Sequence, residues 1–252
     1  MKTLTCILTL VLFVTTINGQ NSFLDNQKKH KKVLNAFKEK QITIENKLKT
    51  NGIKINQITI LLIAYKQESQ LIVYAKNKDE LKYKKIETYK ICSKSGFLGP
   101  KREQGDFQVP EGYYHINRFN PFSSFHLSLG INYPNKSDRI KSNAVNRGGD
   151  IFIHGDCVTI GCLPLTDDKI KEVYCYSVLA KNNLQGNIPV YIFPYKMTKT
   201  NHYYNCQMND ENSELIKFWE NLKNGYDLFQ LNKEALNFQI NNQGNYIMKK
   251  NS

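Results

Sequence analysis

The chain has 252 residues, which is enough for one sizeable domain with appendages. It carries 35 Lys and Arg against 22 Asp and Glu, a formal net charge of +13. This excess favours anionic partners such as a cell-wall polymer or acidic lipid headgroups. Basic and aromatic residues do not interleave as they do in RNA-recognition motifs, so nucleic acid is excluded as the expected partner.

The first nineteen residues predict a signal peptide for export. A short start containing Lys2 is followed by a largely apolar run from Leu4 to Val14, and then by Gly19, a small residue suited to cleavage. The run is too short to span a membrane comfortably, and no later run approaches a transmembrane length. We therefore expect residues 1–19 to be removed. The mature protein is then periplasmic or associated with the cell envelope, with no transmembrane anchor.

The rest of the chain predicts helices towards both ends and strands between them. Residues 20–57 form an N-terminal helical segment, with one helix over 21–50 that Asn51-Gly52 ends. Apolar runs predict strands at 58–65, 71–74 and 188–193, and short strands with long loops over 86–133. Thr166 begins a helix that ends near Lys181, and another is predicted over 213–222. The last twenty or so residues are polar and are expected to fray.

The stretch from Asp150 to Cys162 predicts the chemistry of the protein. Residues 151–153 indicate a buried strand that holds His154 rigidly, and Cys162 follows eight positions later. A thiolate is a strong nucleophile, and an imidazole within hydrogen-bond reach takes the thiol proton at neutral pH. Gly155 and Gly161 allow the backbone to turn sharply, so we expect amides near Cys162 to face an oxyanion.

The cysteines leave two further interpretations open. His154, Cys157, Cys162 and Cys175 could form a Cys3His zinc site, but they lack the paired short spacings of such sites. Cys157 and Cys162 could form a redox pair, but their spacing is not C-x-x-C. Loss of Cys6 with the signal peptide leaves five of the six cysteines, and this odd number indicates a free thiol, for which the motif nominates Cys162.

The spacing of the other four cysteines fixes no disulfide pairing. We expect them to be mostly reduced and buried, because a domain of this size does not need disulfides to fold. The four are Cys92, Cys157, Cys175 and Cys206.

Several motifs resemble those of the YkuD-type L,D-transpeptidases. Thr159-x-Gly161-Cys162 is similar to the [Ser/Thr]-x-Gly-Cys signature of that family, and His154-Gly155 matches its upstream His-Gly. The likeness is to the YafK branch, which has the compressed form His-Gly-x-Cys-x-[Ser/Thr]-x-Gly-Cys. Further matches to this branch are Ser95-Gly96-x-x-Gly99-Pro100-Lys101, Gly105-Asp106-x-x-Val109-Pro110-Glu111-Gly112-Tyr113-Tyr114, Asn120-Pro121-x-Ser123, Tyr133-Pro134-Asn135 and Leu163-Pro164-Leu165-Thr166-Asp167.

The resemblance implies a mixed α+β fold with a mainly β YkuD-like catalytic domain over residues 58–200. N-terminal helices and a C-terminal helical extension over 201–252 flank this domain. Cys162 is implied as the nucleophile and His154 as the base, with Gly155, Thr159 and Gly161 forming the active-site turn. We expect neither a cofactor nor a metal.

The resemblance also implies a substrate, the peptide stems of peptidoglycan. Attack of Cys162 on the diaminopimelate carbonyl gives a thioester that passes to an amine, which forms a cross-link, or to water. Within the YafK branch, release of a protein attached to peptidoglycan is a further implied activity. A wall-binding module that has lost activity remains an alternative, which the complete catalytic motif disfavours.

Two positions depart from the family pattern, and one loop adds candidate binding residues. Ile160 stands where most members have a second His, and Pro164 where Arg or Asn is usual. Fewer polar groups beside Cys162 leave fewer ways to orient an acceptor peptide, so hydrolysis or exchange is predicted to outweigh cross-linking. In the loop 99–112, Lys101 and Glu111 are candidate substrate-binding residues, because restrained loops commonly carry binding groups.

Overall fold

The computed structural model describes residues 22–249, so the predicted signal peptide lies outside the described residues. The helices are α1 (Phe23–Lys28), α2 (Lys31–Thr50), α3 (Lys136–Lys141), α4 (Asp167–Asn182), α5 (Lys199–Gln207) and α6 (Ser213–Asn232). The strands are β1 (Ile58–Tyr65), β2 (Gln70–Asn77), β3 (Lys84–Lys90), β4 (Gly112–Asn120), β5 (Ser128–Ile131), β6 (Phe152–His154), β7 (Leu163–Pro164), β8 (Pro189–Phe193), β9 (Phe238–Ile240) and β10 (Tyr246–Met248).

Eight of these strands form one sheet, in the order β3-β2-β1-β8-β4-β5-β6-β7, while β9 and β10 form a separate hairpin. Neighbouring strands are antiparallel except for two parallel pairs, β1 with β8 and β6 with β7. The connection from β6 to β7 carries the His154-to-Cys162 motif. The topology therefore presents this motif at one edge of the sheet.

Strand β1 is buried on both faces of the sheet, which explains its unbroken apolar sequence. Alternate side chains, such as those of Ile60 and Leu62, join a core that α2 and α4 cover. The intervening side chains of Leu61 and Ile63 join a second core, rich in aromatic rings, that α6 covers. The sheet is thus enclosed between α2 and α4 on one face and α6 on the other.

The main elements predicted from the sequence are confirmed. Strand β1 has the predicted bounds, and α4 differs from its predicted bounds by about one residue. The mixed α+β class with flanking helices is also confirmed. Helix α6 continues to Asn232, ten residues beyond the predicted end, and Lys233 then ends it in a left-handed conformation. Across residues 22–249, no helix is both long and apolar enough to cross a membrane.

Two predictions about the ends of the chain are wrong. The single helix expected over 21–50 is two helices, because His30 has extended backbone angles and starts α2 anew. The C-terminal residues expected to fray contain the β9–β10 hairpin instead. Its Tyr246 is 2% exposed, with its backbone N–H bonded to Asn221 and its hydroxyl accepting from Asn135. One aromatic anchor therefore orders a segment whose composition is otherwise polar.

Candidate active site

The pairing of β6 with β7 fixes the relative positions of His154 and Cys162. Ile153 pairs with Leu163, and both side chains are buried in the core. Because side chains alternate along a strand, His154 and Cys162 are directed to the opposite face. Phe152 N donates to Cys162 Sγ at 3.4 Å, which places the thiol beside the first residue of β6. The predicted nucleophile and base therefore share one face of the sheet edge.

Cys162 lines a cleft of about 270 Å³. Residues 93–98 and the side chains of Lys66 and Val109 line the same cleft. Burial raises the pKa of the Cys162 thiol, and the Phe152 amide opposes that shift. The sulfur lies 3.8 Å from the Asp150 carbonyl oxygen, to which it donates as a thiol. The thiol is therefore protonated at neutral pH, and to act as the predicted nucleophile it would need a base.

His154 is the predicted base. Its side chain is buried against the Phe125 ring, with ring centroids 4.8 Å apart. Nδ1 lies 2.5 Å from the Gly155 carbonyl oxygen. A carbonyl only accepts, so the neutral imidazole carries its proton on Nδ1 and leaves Nε2 free to accept one. Burial lowers the pKa of His154, so the ring is neutral at pH 7.

Within residues 22–249, no hydrogen bond joins Cys162 Sγ to a ring nitrogen of His154. Catalytic hydrogen bonds are often long before substrate binds and tighten in the complex. The observed arrangement is thus a thiol and a neutral imidazole on one face of the sheet, without a direct hydrogen bond between them.

The turn that leads into Cys162 is organised by Thr159. Its Oγ1 accepts from the backbone N–H groups of Gly161 and Cys162, at 3.2 and 2.8 Å, and donates to the Cys162 carbonyl at 2.9 Å. Both amides are therefore satisfied within the turn, so their use as an oxyanion hole remains a prediction. Gly161 has φ +137°, and a Cβ there would lie 3.1 Å from the Gln108 carbonyl oxygen, so the turn requires glycine.

Gly155 is required for a different reason. A side chain at this position would meet Asp167 Oδ1 at 2.6 Å and the Phe125 carbonyl oxygen at 2.9 Å. Asp167 Oδ1 accepts from the Asp156 backbone N–H at 2.9 Å. Gly155, the residue after His154, is thus packed closely between the loop that carries Phe125 and the start of α4.

The expectation of mostly reduced cysteines is wrong, because Cys92 and Cys157 form a disulfide across 65 residues of sequence. Two cysteines so far apart in sequence cannot be recognised as a disulfide pair from the spacing between neighbouring cysteines. The free cysteines are Cys162, Cys175 and Cys206. The disulfide takes Cys157 out of both the zinc set and the redox pair considered above. Residues 22–249 contain no group of three or more potential ligands placed to hold a metal ion.

Lys101 and Glu111, the candidate binding residues of the 99–112 loop, are 4% and 0% exposed. Lys101 Nζ pairs with Asp106 at 2.6 Å. Glu111 pairs with Lys66 at 2.8 Å, and it accepts from Trp219 Nε1 at 2.9 Å. Direct contact with substrate remains a prediction for both. What the structure shows is that each has a partner inside the protein and holds the wall of the cleft in place.

Two features of the site were missed from the sequence. The side chain of Lys66 is only 6% exposed, and besides pairing with Glu111 it donates to the carbonyl oxygens of Gly99 and Val109 at 2.6 and 2.9 Å. Its position at the end of β1 gave no sign of this, since an isolated Lys usually lies in solvent.

The second feature that was missed is a further thiol–imidazole pair, which lies on α5, where Cys206 Sγ is 3.7 Å from His202 Nε2. Their spacing of four residues on a helix is the signal that could have revealed it.

A thiol in a cleft, a neutral imidazole on the same sheet face and a glycine turn between them are the groups that a cysteine acyl-transfer site requires. Residues 59–192 match the family model described as YkuD: L,D-transpeptidase catalytic domain. This match spans more than half of the chain. The chain belongs to the YkuD family of L,D-transpeptidases, as the motifs implied.

Comparison with known proteins shows the following similarities. The chain is 36% identical over 191 residues to the Escherichia coli K12 protein YafK, which is assigned as an L,D-transpeptidase provisionally, and the match covers 74% of this chain and 72% of YafK. Among solved structures, it is similar to the helical cell shape determining protein Pgp2 of Campylobacter jejuni, with 19% identity and a TM-score of 0.43 over 78% of this chain and 80% of Pgp2. Mycobacterium tuberculosis L,D-transpeptidase 1 shows 12% identity and a TM-score of 0.31 over 54% and 62% of the two chains.

Proposed function

We propose that this protein is an exported cysteine acyltransferase or hydrolase that acts on the peptide stems of peptidoglycan. The observation that carries the proposal is Cys162, a free thiol that lines a cleft and shares a sheet face with a neutral His154. The family supports peptidoglycan as the substrate class. The Cys92–Cys157 disulfide supports export, since such bonds persist mainly in oxidising compartments.

The reaction takes two steps. In the first, His154 Nε2 removes the Sγ proton, and the thiolate of Cys162 attacks the diaminopimelate carbonyl. The tetrahedral intermediate collapses to a thioester as the amine leaves, taking the proton from the His154 imidazolium. In the second step His154 deprotonates water or an incoming amine, which displaces the thiolate and regenerates the free enzyme. The leaving group is D-alanine or the amine of a linked peptide or protein.

Hydrolysis, or exchange with a small amine, is the favoured outcome of the second step. The side chains at positions 160 and 164, on either side of the nucleophile, are those of Ile160 and Pro164, neither of which can orient an acceptor by hydrogen bonds. The Pro164 carbonyl already accepts from the Cys92 backbone N–H at 3.0 Å. Water needs little positioning beyond a base, whereas a second peptide needs several contacts.

The test is incubation of the purified protein with tetrapeptide muropeptides, followed by mass spectrometry of the products. We expect loss of D-alanine with few diaminopimelate-to-diaminopimelate dimers. Cys162→Ala should abolish every product. Cys206→Ala is the matched control, because it removes the other partly exposed free thiol and should leave turnover unchanged.

His154→Ala should slow acylation of Cys162 by about two to four decades, the range typical for loss of a positioned base. An unchanged acylation rate would remove His154 from the mechanism. Products that are chiefly dimers would restore cross-linking as the leading activity. Unchanged muropeptides that nevertheless bind the protein would identify the alternative, a wall-binding module without activity.

A further inference from the structure

A second cavity, of about 630 Å³, adjoins the catalytic cleft. Leu98 lines both spaces. Gln108, which also lines the second cavity, has its carbonyl oxygen packed against Gly161, next to the nucleophile. Much of the remaining wall comes from residues 99–102, from α3 and from the start of α6, so the cavity lies between the 98–108 loop, α3 and the C-terminal extension. A ligand bound there would lie next to the site of acylation.

Of the charged side chains that the structure describes in the wall of the second cavity, Arg102 and Glu214 form ion pairs and Lys141 does not. Arg102 donates to Asp138 at 3.2 Å, and Lys217 pairs with Glu214 at 2.9 Å. Lys141, on the last turn of α3, lines the cavity, and within residues 22–249 its ammonium group makes no hydrogen bond and no ion pair. Lys141 is only partly exposed, so water does not fully solvate its charge. A half-buried cation without a counter-ion is stabilised by an anionic ligand.

Burial lowers the pKa of Lys141, and the nearby charge of Arg102 adds to that effect. The carboxylate of Glu214 acts in the opposite sense. The rest of the lining suits a peptide, since it combines carboxamide side chains with apolar ones: Gln108, Asn143, Asn212, Gln243, Leu215 and Phe218.

We propose that the second cavity binds a carboxylate-bearing part of the stem peptide, with Lys141 as its counter-ion. This inference rests on the proposed function, which supplies the substrate. After the thiolate attacks one carbonyl of diaminopimelate, the carboxylate at the far end of that residue stays free, and the neighbouring stem residues carry more. Lys141 is thus a binding residue for the carboxylates that flank the reacting bond, and the C-terminal extension completes its site.

The inference is tested by calorimetric titration of the full chain carrying Cys162→Ala, which binds without reacting. The probes are the stem tetrapeptide and the same peptide with its carboxylates converted to amides. In this background Lys141→Gln should weaken binding of the tetrapeptide about tenfold, equivalent to about 1.4 kcal/mol. Lys141→Arg should retain most of the affinity. The amidated peptide should bind weakly and equally to all three proteins.

Lys136→Gln is the matched control. Lys136 lies on the same helix, is exposed and lies outside the cavity, so its replacement removes the same charge without touching the site. Its affinity for the tetrapeptide should stay unchanged. Equal affinities of Lys141→Gln and its parent would overturn the inference, as would an equal loss in Lys136→Gln or no measurable binding of the tetrapeptide.

A separate assay distinguishes this inference from the proposed function. Acylation of Cys162 by the small neutral ester p-nitrophenyl acetate should proceed equally in wild type and in Lys141→Gln, because this probe has no carboxylate. If the wild-type protein binds the tetrapeptide through Lys141 but forms no thioester and no product, the chemistry fails and the binding site stands. If turnover occurs and Lys141→Gln leaves both affinity and KM unchanged, the binding site fails and the chemistry stands.

Discussion

The segment from residue 92 to residue 111, which we call the cleft segment, lines the catalytic cleft and is anchored differently at its two ends. At its start, Cys92 is bonded covalently to Cys157 in the active-site turn. At its end, Glu111 is held by Lys66 and by Trp219, in a place without solvent. The first anchor is partly exposed and carries no charge, while the second depends on two charged side chains that are 6% and 0% exposed. The same cleft is therefore sensitive to reducing agents at one end and to loss of a single charge at the other.

The charged anchor should give the largest effect when it is broken. Glu111→Gln leaves the Lys66 ammonium buried without its counter-ion, and such a change costs about 3–5 kcal/mol of unfolding free energy. Urea unfolding followed by far-UV circular dichroism measures this loss. Glu103→Gln is the control, since Glu103 is an exposed carboxylate of the same segment, and it should change stability by less than about 0.5 kcal/mol. Similar values for the two variants would contradict the assignment of Glu111 as an anchor.

The covalent anchor should give the next largest effect. Replacing Cys92 and Cys157 together by Ala removes a cross-link that closes a long loop, at a cost of about 2–4 kcal/mol. The same urea titration in the presence of dithiothreitol should lower wild-type stability by a similar amount. The double variant should not respond to the reagent, and a response would show that another bond is being reduced.

A smaller loss of unfolding free energy is expected when the turn that leads into Cys162 is altered. Thr159→Val removes the oxygen that accepts from the amides of Gly161 and Cys162, and buried donors left without a partner cost about 1–3 kcal/mol. The turn should loosen, so the p-nitrophenyl acetate reaction of Cys162 should slow even where the protein stays folded. Thr159→Ser keeps the hydroxyl and should restore both quantities. A Val variant with the rate of wild type would show that the turn does not depend on this side chain.

The smallest expected effect is that of pH on acylation above neutrality. Burial holds the pKa of His154 below its usual value of 6.5, so its neutral, basic form already predominates at pH 7. The rate should therefore change by less than about twofold between pH 7 and pH 8. On the acid side it should fall as pH drops through the pKa of His154, because protonation removes the base. A tenfold rise from pH 7 to pH 8 would instead mean that free thiolate, and not His154, limits the reaction.

The parts of the site that follow from local sequence were predictable. The apolar run before His154 indicated β6, and the glycines indicated the turn before Cys162, because both depend on neighbours in the chain. Neither anchor of the cleft segment was predictable, since each joins residues that are far apart in sequence. Substrate binding by Lys101 and Glu111 remains a prediction, and the partners of Glu111 become apparent only once the fold brings distant segments together.

The thiol–imidazole pair on α5 also bears on the prediction that Cys162 is the reactive thiol. The motif nominated Cys162, with His154 as its predicted base, but His202 lies beside Cys206 as well. Labelling by limiting iodoacetamide therefore compares two thiol–imidazole pairs, and burial raises the pKa of both thiols. The order of labelling remains a prediction, and its basis is now the cleft and the glycine turn around Cys162.

The hydrogen bond from Trp219 to Glu111 makes the cleft segment depend on a helix that lies outside the family match. Residues 59–192 contain every predicted catalytic group, yet the carboxylate that fixes the cleft segment lacks one of its partners until α6 has docked on the sheet. A fragment that ends before α6 would carry Cys162 and His154 without the complete support of the cleft. Docking of α6 is therefore part of the assembly of the candidate site, although α6 contributes none of the predicted catalytic groups.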